Sequence, residues 1–285
     1  MEFIVVTGLS GAGKSQAINV LEDMGVYCVD NIPSSLLMSF YEACTTEKFA
    51  TKKVAVVIDS RSRSDFEDLI RNLKVIKTKG VTCKILFLDC SADVLTRRYK
   101  ETRRRHPLLS DTNASTECAI EAEIRLLAPL REAADYLIDT SLLTSSQLKE
   151  KVRLLFETEH RDEMLITCLS FGFKFGIPRD ADIVMDVRCL PNPFYDPQLK
   201  HCTGLDQSVR DFVMNHEQSR ELLERFSSMI DFLIPHYKRE GKSQLVIAFG
   251  CTGGKHRSVT FAELLNQRLL SQGRNTNVFH RDITR

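Results

Sequence analysis

Gly8-Leu9-Ser10-Gly11-Ala12-Gly13-Lys14-Ser15 follows the apolar run Phe3-Ile4-Val5-Val6 and precedes a segment with apolar residues at Ala17, Ile18 and Leu21. This octapeptide matches the P-loop pattern G-x-x-x-x-G-K-[ST] at every fixed position. In a strand–turn–helix setting, its glycines let the backbone curl so that successive N–H groups point at phosphate oxygens. Lys14 would then reach the outer phosphates of a nucleotide, and the Ser15 hydroxyl would hold Mg²⁺. The whole segment Gly8–Ser15 is therefore expected to form a nucleotide-binding site.

Outward from this loop, the first half alternates apolar runs with amphipathic stretches. Strands are predicted near 3–7, 26–29, 54–58, 84–88 and 135–138, and helices near 14–24, 34–44, 65–78, 91–104, 117–132 and 144–157. Such alternation reads as an α/β fold, a parallel sheet covered by helices, with ligands at the carboxyl ends of the strands. Val54-Ala55-Val56-Val57-Ile58-Asp59 resembles a Walker B strand that delivers a carboxylate toward Mg²⁺, making Ser15 and Asp59 the metal candidates. Ser60, Arg61 and Ser62 follow as candidate base or phosphate contacts. Between Arg97 and Arg105 lie five arginines within nine residues, either a lid that neutralises phosphoryl charge or a solvated basic helix face.

The polar stretch from Glu157 to Asp162 places a boundary between residues 1–160, the P-loop NTPase domain, and residues 163–285, a smaller α/β domain. In the second domain strands are predicted near 164–169, 183–187, 244–249 and 277–280, and helices near 206–214, 217–234 and 258–272. Its strand Leu245–Phe249 runs into Gly250-Cys251-Thr252-Gly253-Gly254-Lys255-His256-Arg257-Ser258 and then a helix, repeating the P-loop geometry and predicting a second anion site. The spacing from Cys251 to Arg257-Ser258 also fits the tyrosine-phosphatase signature, so the loop is open between anion binding and thiol catalysis. A Pro-rich loop carrying Arg188 leads toward His201 and Gly204 and offers further polar groups to the same place.

Composition bounds the rest. The chain has 285 residues, 43% apolar and 27% charged, with a net charge of +1. Residues 163–285 carry 16 Lys and Arg against 14 Asp and Glu, so nucleic-acid binding is not implied by overall charge and needs a local patch. Nine cysteines, an odd number without C-x-x-C pairs, favour reduced thiols in a cytoplasm. With no apolar stretch of membrane-spanning length and Met1 leading into the first strand, neither a membrane segment nor a targeting signal is expected.

Six motifs in order give the chain a resemblance to the RapZ/YvcJ family of bacterial P-loop nucleotide-binding proteins, whose members include RNase adapter proteins. They are Gly8–Ser15, Tyr27–Pro33, Glu101–Pro107, Leu190–Pro193, His201–Asp206 and Gly250–Ser258. The resemblance implies a kinase-like first domain that binds and slowly hydrolyses ATP and GTP, with Asp59, Ser60, Arg61 and Ser62 as a GTP-contacting segment. Ser60 stands there in place of an apolar residue. The resemblance further implies a regulatory switch or adapter whose second domain senses an amino-sugar phosphate and presents small RNA to an RNase. A homo-oligomer is also expected. Arg188, His201, Cys251, Thr252, Gly253, Gly254, Lys255, His256, Arg257 and Ser258 are the sugar-phosphate candidates. Two rivals are a small-molecule kinase using ATP, with its acceptor near Asp30, and an RNA-binding adapter with a vestigial nucleotide site.

Overall fold

A computed structural model describes residues 1–45, 53–60, 66–102, 105–109, 115–156 and 164–285. The fold is α/β, and the chain divides into two compact units, Met1–Arg153 and Leu154–Arg285. The predicted junction at 157–162 lies outside the described residues.

In the first unit, strands β1 (Glu2–Gly8), β2 (Tyr27–Val29), β3 (Lys53–Val57), β4 (Thr82–Asp89) and β5 (Tyr136–Asp139) form one sheet in the order β2-β3-β1-β4-β5. Every pairing is parallel. β1 is central, and Phe3 to Gly8 are all buried, which is why its sequence is continuously apolar instead of alternating. Between the strands run α1 (Lys14–Asp23), α2 (Leu37–Cys44), α3 (Phe66–Thr78), α4 (Ala92–Thr102) and α5 (Thr116–Glu132), and α6 (Ser145–Phe156) follows β5. At the end of β1, Gly8 takes φ +132°, and a Cβ there would sit 2.2 Å from the carbonyl oxygen of Leu88. Only glycine lets the chain turn this close to β4 and enter the loop.

The second unit pairs β6 (Leu165–Gly172), β7 (Ile183–Asp186), β8 (Gln244–Cys251) and β9 (Thr276–His280) in the order β7-β8-β6-β9, again all parallel. Helices α7 (Gln207–Met214), α8 (Glu217–Arg239) and α9 (Arg257–Ser271) complete it. Its core gathers Ile166, Ile247, Phe249, Phe226, Ile230, Phe261 and Leu265. α8 continues five residues past its predicted end at 234, because Pro235 lies inside it without stopping it. Ile230 and Ile234, both fully buried, hold the turn around the proline in place. β6 and β8 each run two or three residues beyond expectation, so that Gly172 pairs with Cys251 at the mouth of the second glycine-rich loop.

Candidate functional site

The P-loop sits at the carboxyl end of β1, and the segments around it enclose a cleft of about 400 Å³. Ser10, Gly11, Gly13, Lys14 and Ser15 line it, together with Asp30 and Asn31 after β2, Asp59 after β3, and Arg98, Tyr99 and Arg105 from the arginine segment. Gly8, Leu9 and Ala12 are buried behind this surface. The Leu9 amide donates to the Leu88 carbonyl at 3.0 Å, and the Ala12 amide to the Leu9 carbonyl at 3.0 Å. Lys14 Nζ turns back on its own loop and donates to the carbonyls of Gly8 (2.8 Å) and Leu9 (3.2 Å). Asp59 lies two residues past the end of β3, and its carboxylate shares the cleft with the Ser15 hydroxyl. That all-oxygen donor pair suits a hard cation such as Mg²⁺.

The loop departs from the expectation that its amides all face a ligand. Ser10 donates inward through its amide to Glu123 Oε2 at 2.9 Å and through its hydroxyl to Oε1 at 2.7 Å. Ser60, read from the sequence as a nucleotide contact, is fully buried and donates its hydroxyl to the same Oε1 at 2.5 Å. His106 Nε2 lies 3.1 Å from Oε2. The Leu108 amide donates to its Nδ1 at 3.2 Å, so Nε2 is the nitrogen that carries the hydrogen toward Glu123. Burial by itself would push the Glu123 carboxyl up, but the hydrogen bonds from His106, Ser60 and Ser10 outweigh it and hold the group at about 2. Arg61 and Ser62 lie outside the described residues.

Within the arginine segment the side chains divide. Arg98 donates to the Gly11 carbonyl at 3.0 Å and to the Thr140 carbonyl at 2.7 Å, tying α4 to both the P-loop and the end of β5. Arg97 is exposed beside Glu101 at 3.9 Å. Arg103 and Arg104, and with them the predicted end of α4 at 104, lie outside the described residues.

In the second unit, three segments meet at the start of α9. Cys251 is buried, and its Sγ accepts the Gly254 amide at 3.2 Å and lies 3.1 Å from the Ser258 hydroxyl. Thr252 is the exposed crest of the loop, Gly253 and Lys255 are half-buried, and Gly254, His256 and Ser258 are buried. Arg257 is 4% exposed and donates Nη1 to the carbonyls of Arg188 (2.9 Å) and Leu190 (2.8 Å). Its guanidinium thus clamps the Pro-rich loop, whereas the sequence placed it on an anion. Arg188 forms a bidentate pair with Asp186 and lies 4.0 Å over the Phe173 ring. His256 sits beneath the turn that carries His201, held by backbone groups of Leu199, Lys200 and Cys202, and burial pushes its imidazole down. Its Nε2 is buried and has no hydrogen-bond partner among the described residues. Gly204 completes the junction, since a Cβ there would lie 2.4 Å from the His256 carbonyl oxygen.

Sequence reasoning missed Glu123 and His106. The signal for Glu123 is a carboxylate on the apolar face of α5, in step with Ile120, Leu127 and Leu130, where a solvated residue has no place.

Two family models match the chain: the RapZ-like N-terminal domain over residues 1–160 and the RapZ C-terminal domain over residues 164–284. A nucleotide-binding protein of Clostridium acetobutylicum is 45% identical, over 99% of this chain and 96% of its own. Another nucleotide-binding protein, of Heliobacterium modesticaldum, is 48% identical over 99% and 94%. Among solved structures, shikimate kinase from Bacteroides thetaiotaomicron is 18% identical with a TM-score of 0.39, covering 55% of this chain and 99% of its own. No helix among the described residues is long and apolar enough to cross a membrane.

Proposed function

The chain belongs to the RapZ family, and from that premise we propose that it binds a nucleoside triphosphate with Mg²⁺ in the P-loop cleft and hydrolyses it slowly, as a switch. The observation that carries this reading is the convergence, in one cleft, of Lys14 and Ser15 with Asp59, Arg98 and Arg105. Ser15 and Asp59 would hold the metal, which when bound neutralises charge between the outer phosphates. Lys14 Nζ would exchange the Gly8 and Leu9 carbonyls for phosphate oxygens. Both ATP and GTP are proposed occupants. Titration with fluorescent analogues of each, with and without Mg²⁺, tests the reading: wild type binds and Lys14→Ala loses at least tenfold. Absence of binding by wild type overturns it.

A second reading, phosphoryl transfer to a small hydroxylated acceptor, draws on Asp30 and Asn31 in the same cleft, Asn31 being held at φ 59°. Backbone strain of that kind is retained where surrounding structure enforces it, often at ligand sites. Labelled ATP with a mixture of sugars and polyols decides the matter, since a kinase yields a labelled organic product and a switch yields phosphate alone.

For the second unit we propose a sugar-phosphate site at the start of α9, supported by the meeting of the 186–190, 199–204 and 251–258 segments and by the buried His256 Nε2. Calorimetric titration with amino-sugar phosphates tests it. An adapter role between small RNA and an RNase, in a cytoplasmic homo-oligomer, rests on family membership, and co-purification of RNA with the intact protein is its test.

A further inference from the structure

Among the described residues of the first unit, Glu123 is the one carboxylate that is fully buried, and it has four donors from three separate segments. Each of the three segments belongs to a different wall. Ser10 lines the cleft itself. Ser60 follows Asp59, and His106 lies between Arg105 and Pro107, all three of those neighbours lining the cleft. Two hydroxyls fill Oε1, and one amide and one imidazole fill Oε2, so the lone-pair sites of the carboxylate are all used.

We propose that Glu123 is the positioning residue of the nucleotide site, fixing from behind the phosphate loop, the turn that carries the metal-binding acid and the arginine segment in one register. It touches no ligand and acts through Ser10, Ser60 and His106. The physical case lies in what a buried carboxylate does for its donors. Charge-assisted hydrogen bonds are stronger than neutral ones, and each donor here would be costly to leave unpaired away from water. The P-loop therefore cannot relax independently of the Asp59 turn. By drawing the Ser10 amide inward, Glu123 also withdraws that amide of the loop from a phosphate. The inference rests on the nucleotide reading above.

The test uses the full-length protein, a fluorescent ATP analogue with and without Mg²⁺, and hydrogen exchange at the Ser10 amide. Glu123→Ala removes the acceptor, and is expected to raise the dissociation constant at least tenfold and to speed Ser10 exchange while β1 and β4 stay protected. Glu123→Gln keeps the shape, and the two serine hydroxyls can turn to accept from its amide. It is expected to restore affinity to within about threefold of wild type and to slow Ser10 exchange again. Ser60→Ala frees only the Asp59 turn, so it should weaken binding with Mg²⁺ and leave metal-free binding unchanged. A folded Glu123→Ala that binds within twofold of wild type overturns the inference and leaves the nucleotide reading standing. Should that variant not fold, Ser60→Ala with wild-type affinity in both conditions overturns it. A wild type that binds no nucleotide overturns the proposed function and this inference with it.

Discussion

At Lys14 a single ammonium group is bonded to the Gly8 and Leu9 carbonyls of its own loop, so its removal acts first on that loop. Lys14→Ala is therefore expected to keep its circular dichroism spectrum and melting temperature while phosphate release falls on the order of 10²–10³-fold, the usual effect of deleting one charge-stabilising donor. Full turnover in the purified variant contradicts the role given to it. Asp59→Asn should lose affinity in Mg²⁺ and keep it in EDTA, because the carboxylate would act through the ion. Equal losses in both would make it a strand-end support. For Glu123 the pH dependence has a definite sign. Its folded value of about 2 lies below the 4.5 of an unperturbed glutamate, so between those values the unfolded chain binds more protons. Its contribution is complete above pH 4.5, declines as the pH falls, and is lost through pH 2. The full contribution is on the order of 3 kcal/mol. Urea unfolding of wild type should lose stability across that window relative to Glu123→Gln; parallel curves for the two would contradict the assignment.

At the scale of the element, the start of α9 shows what a helix terminus can and cannot reveal in sequence. The strand–glycine loop–helix succession is legible in Leu245 to Ser258, and the structure has it. The direction of the Arg257 side chain is not, because it is set by the carbonyls of Arg188 and Leu190, 69 and 67 residues away in the chain. Arg257→Ala is accordingly expected to loosen the 186–190 loop, visible as faster amide exchange there, as well as to abolish binding of a sugar phosphate. Loss of binding without any change in exchange would return Arg257 to the ligand. Cys251→Ser should still bind, since a hydroxyl can also accept the Gly254 amide and meet Ser258. Phosphate release from aryl phosphates that iodoacetamide blocks in wild type, and that vanishes in the serine variant, would make the loop a thiol phosphatase. The same contrast holds in the first unit. Both parallel sheets follow from local periodicity, and the P-loop is legible because its constraint is local: a glycine, Gly8, where the backbone must approach Leu88, with a lysine and a hydroxyl after it. The Glu123 cluster is non-local, joining residues 10, 60, 106 and 123, and only the misplaced charge on α5 betrays it. Ser60 was misread for that reason, since nothing adjacent to it tells whether its hydroxyl faces the cleft or the interior.

At the scale of the whole molecule, two sheets with separate cores predict two separable stabilities. A ligand that binds only the folded form of one unit raises the free energy of unfolding of that unit by RT ln(1 + [L]/Kd), about 2.7 kcal/mol at a hundredfold excess over Kd. On the proposed reading, nucleotide with Mg²⁺ would engage Lys14, Ser15 and Asp59 in the first unit, and a sugar phosphate would engage the start of α9 in the second. Each is thus expected to move a different part of the calorimetric profile of the intact chain. With nucleotide, the transition belonging to residues 1–153 should shift up by several degrees, and the transition of residues 154–285 should stay; with sugar phosphate the assignment reverses. Lys14→Ala should cancel the first shift alone, and Arg257→Ala the second alone. Two transitions that instead move together with either ligand would show that the units unfold as one, and would place the coupling expected of a switch in the equilibrium stability of the whole chain. Reciprocity then fixes the size of the effect: whatever factor nucleotide contributes to sugar-phosphate affinity, sugar phosphate must contribute to nucleotide affinity. Measuring both dissociation constants with the other ligand saturating checks that equality, and a factor of one in each direction means that no binding coupling passes between the sites.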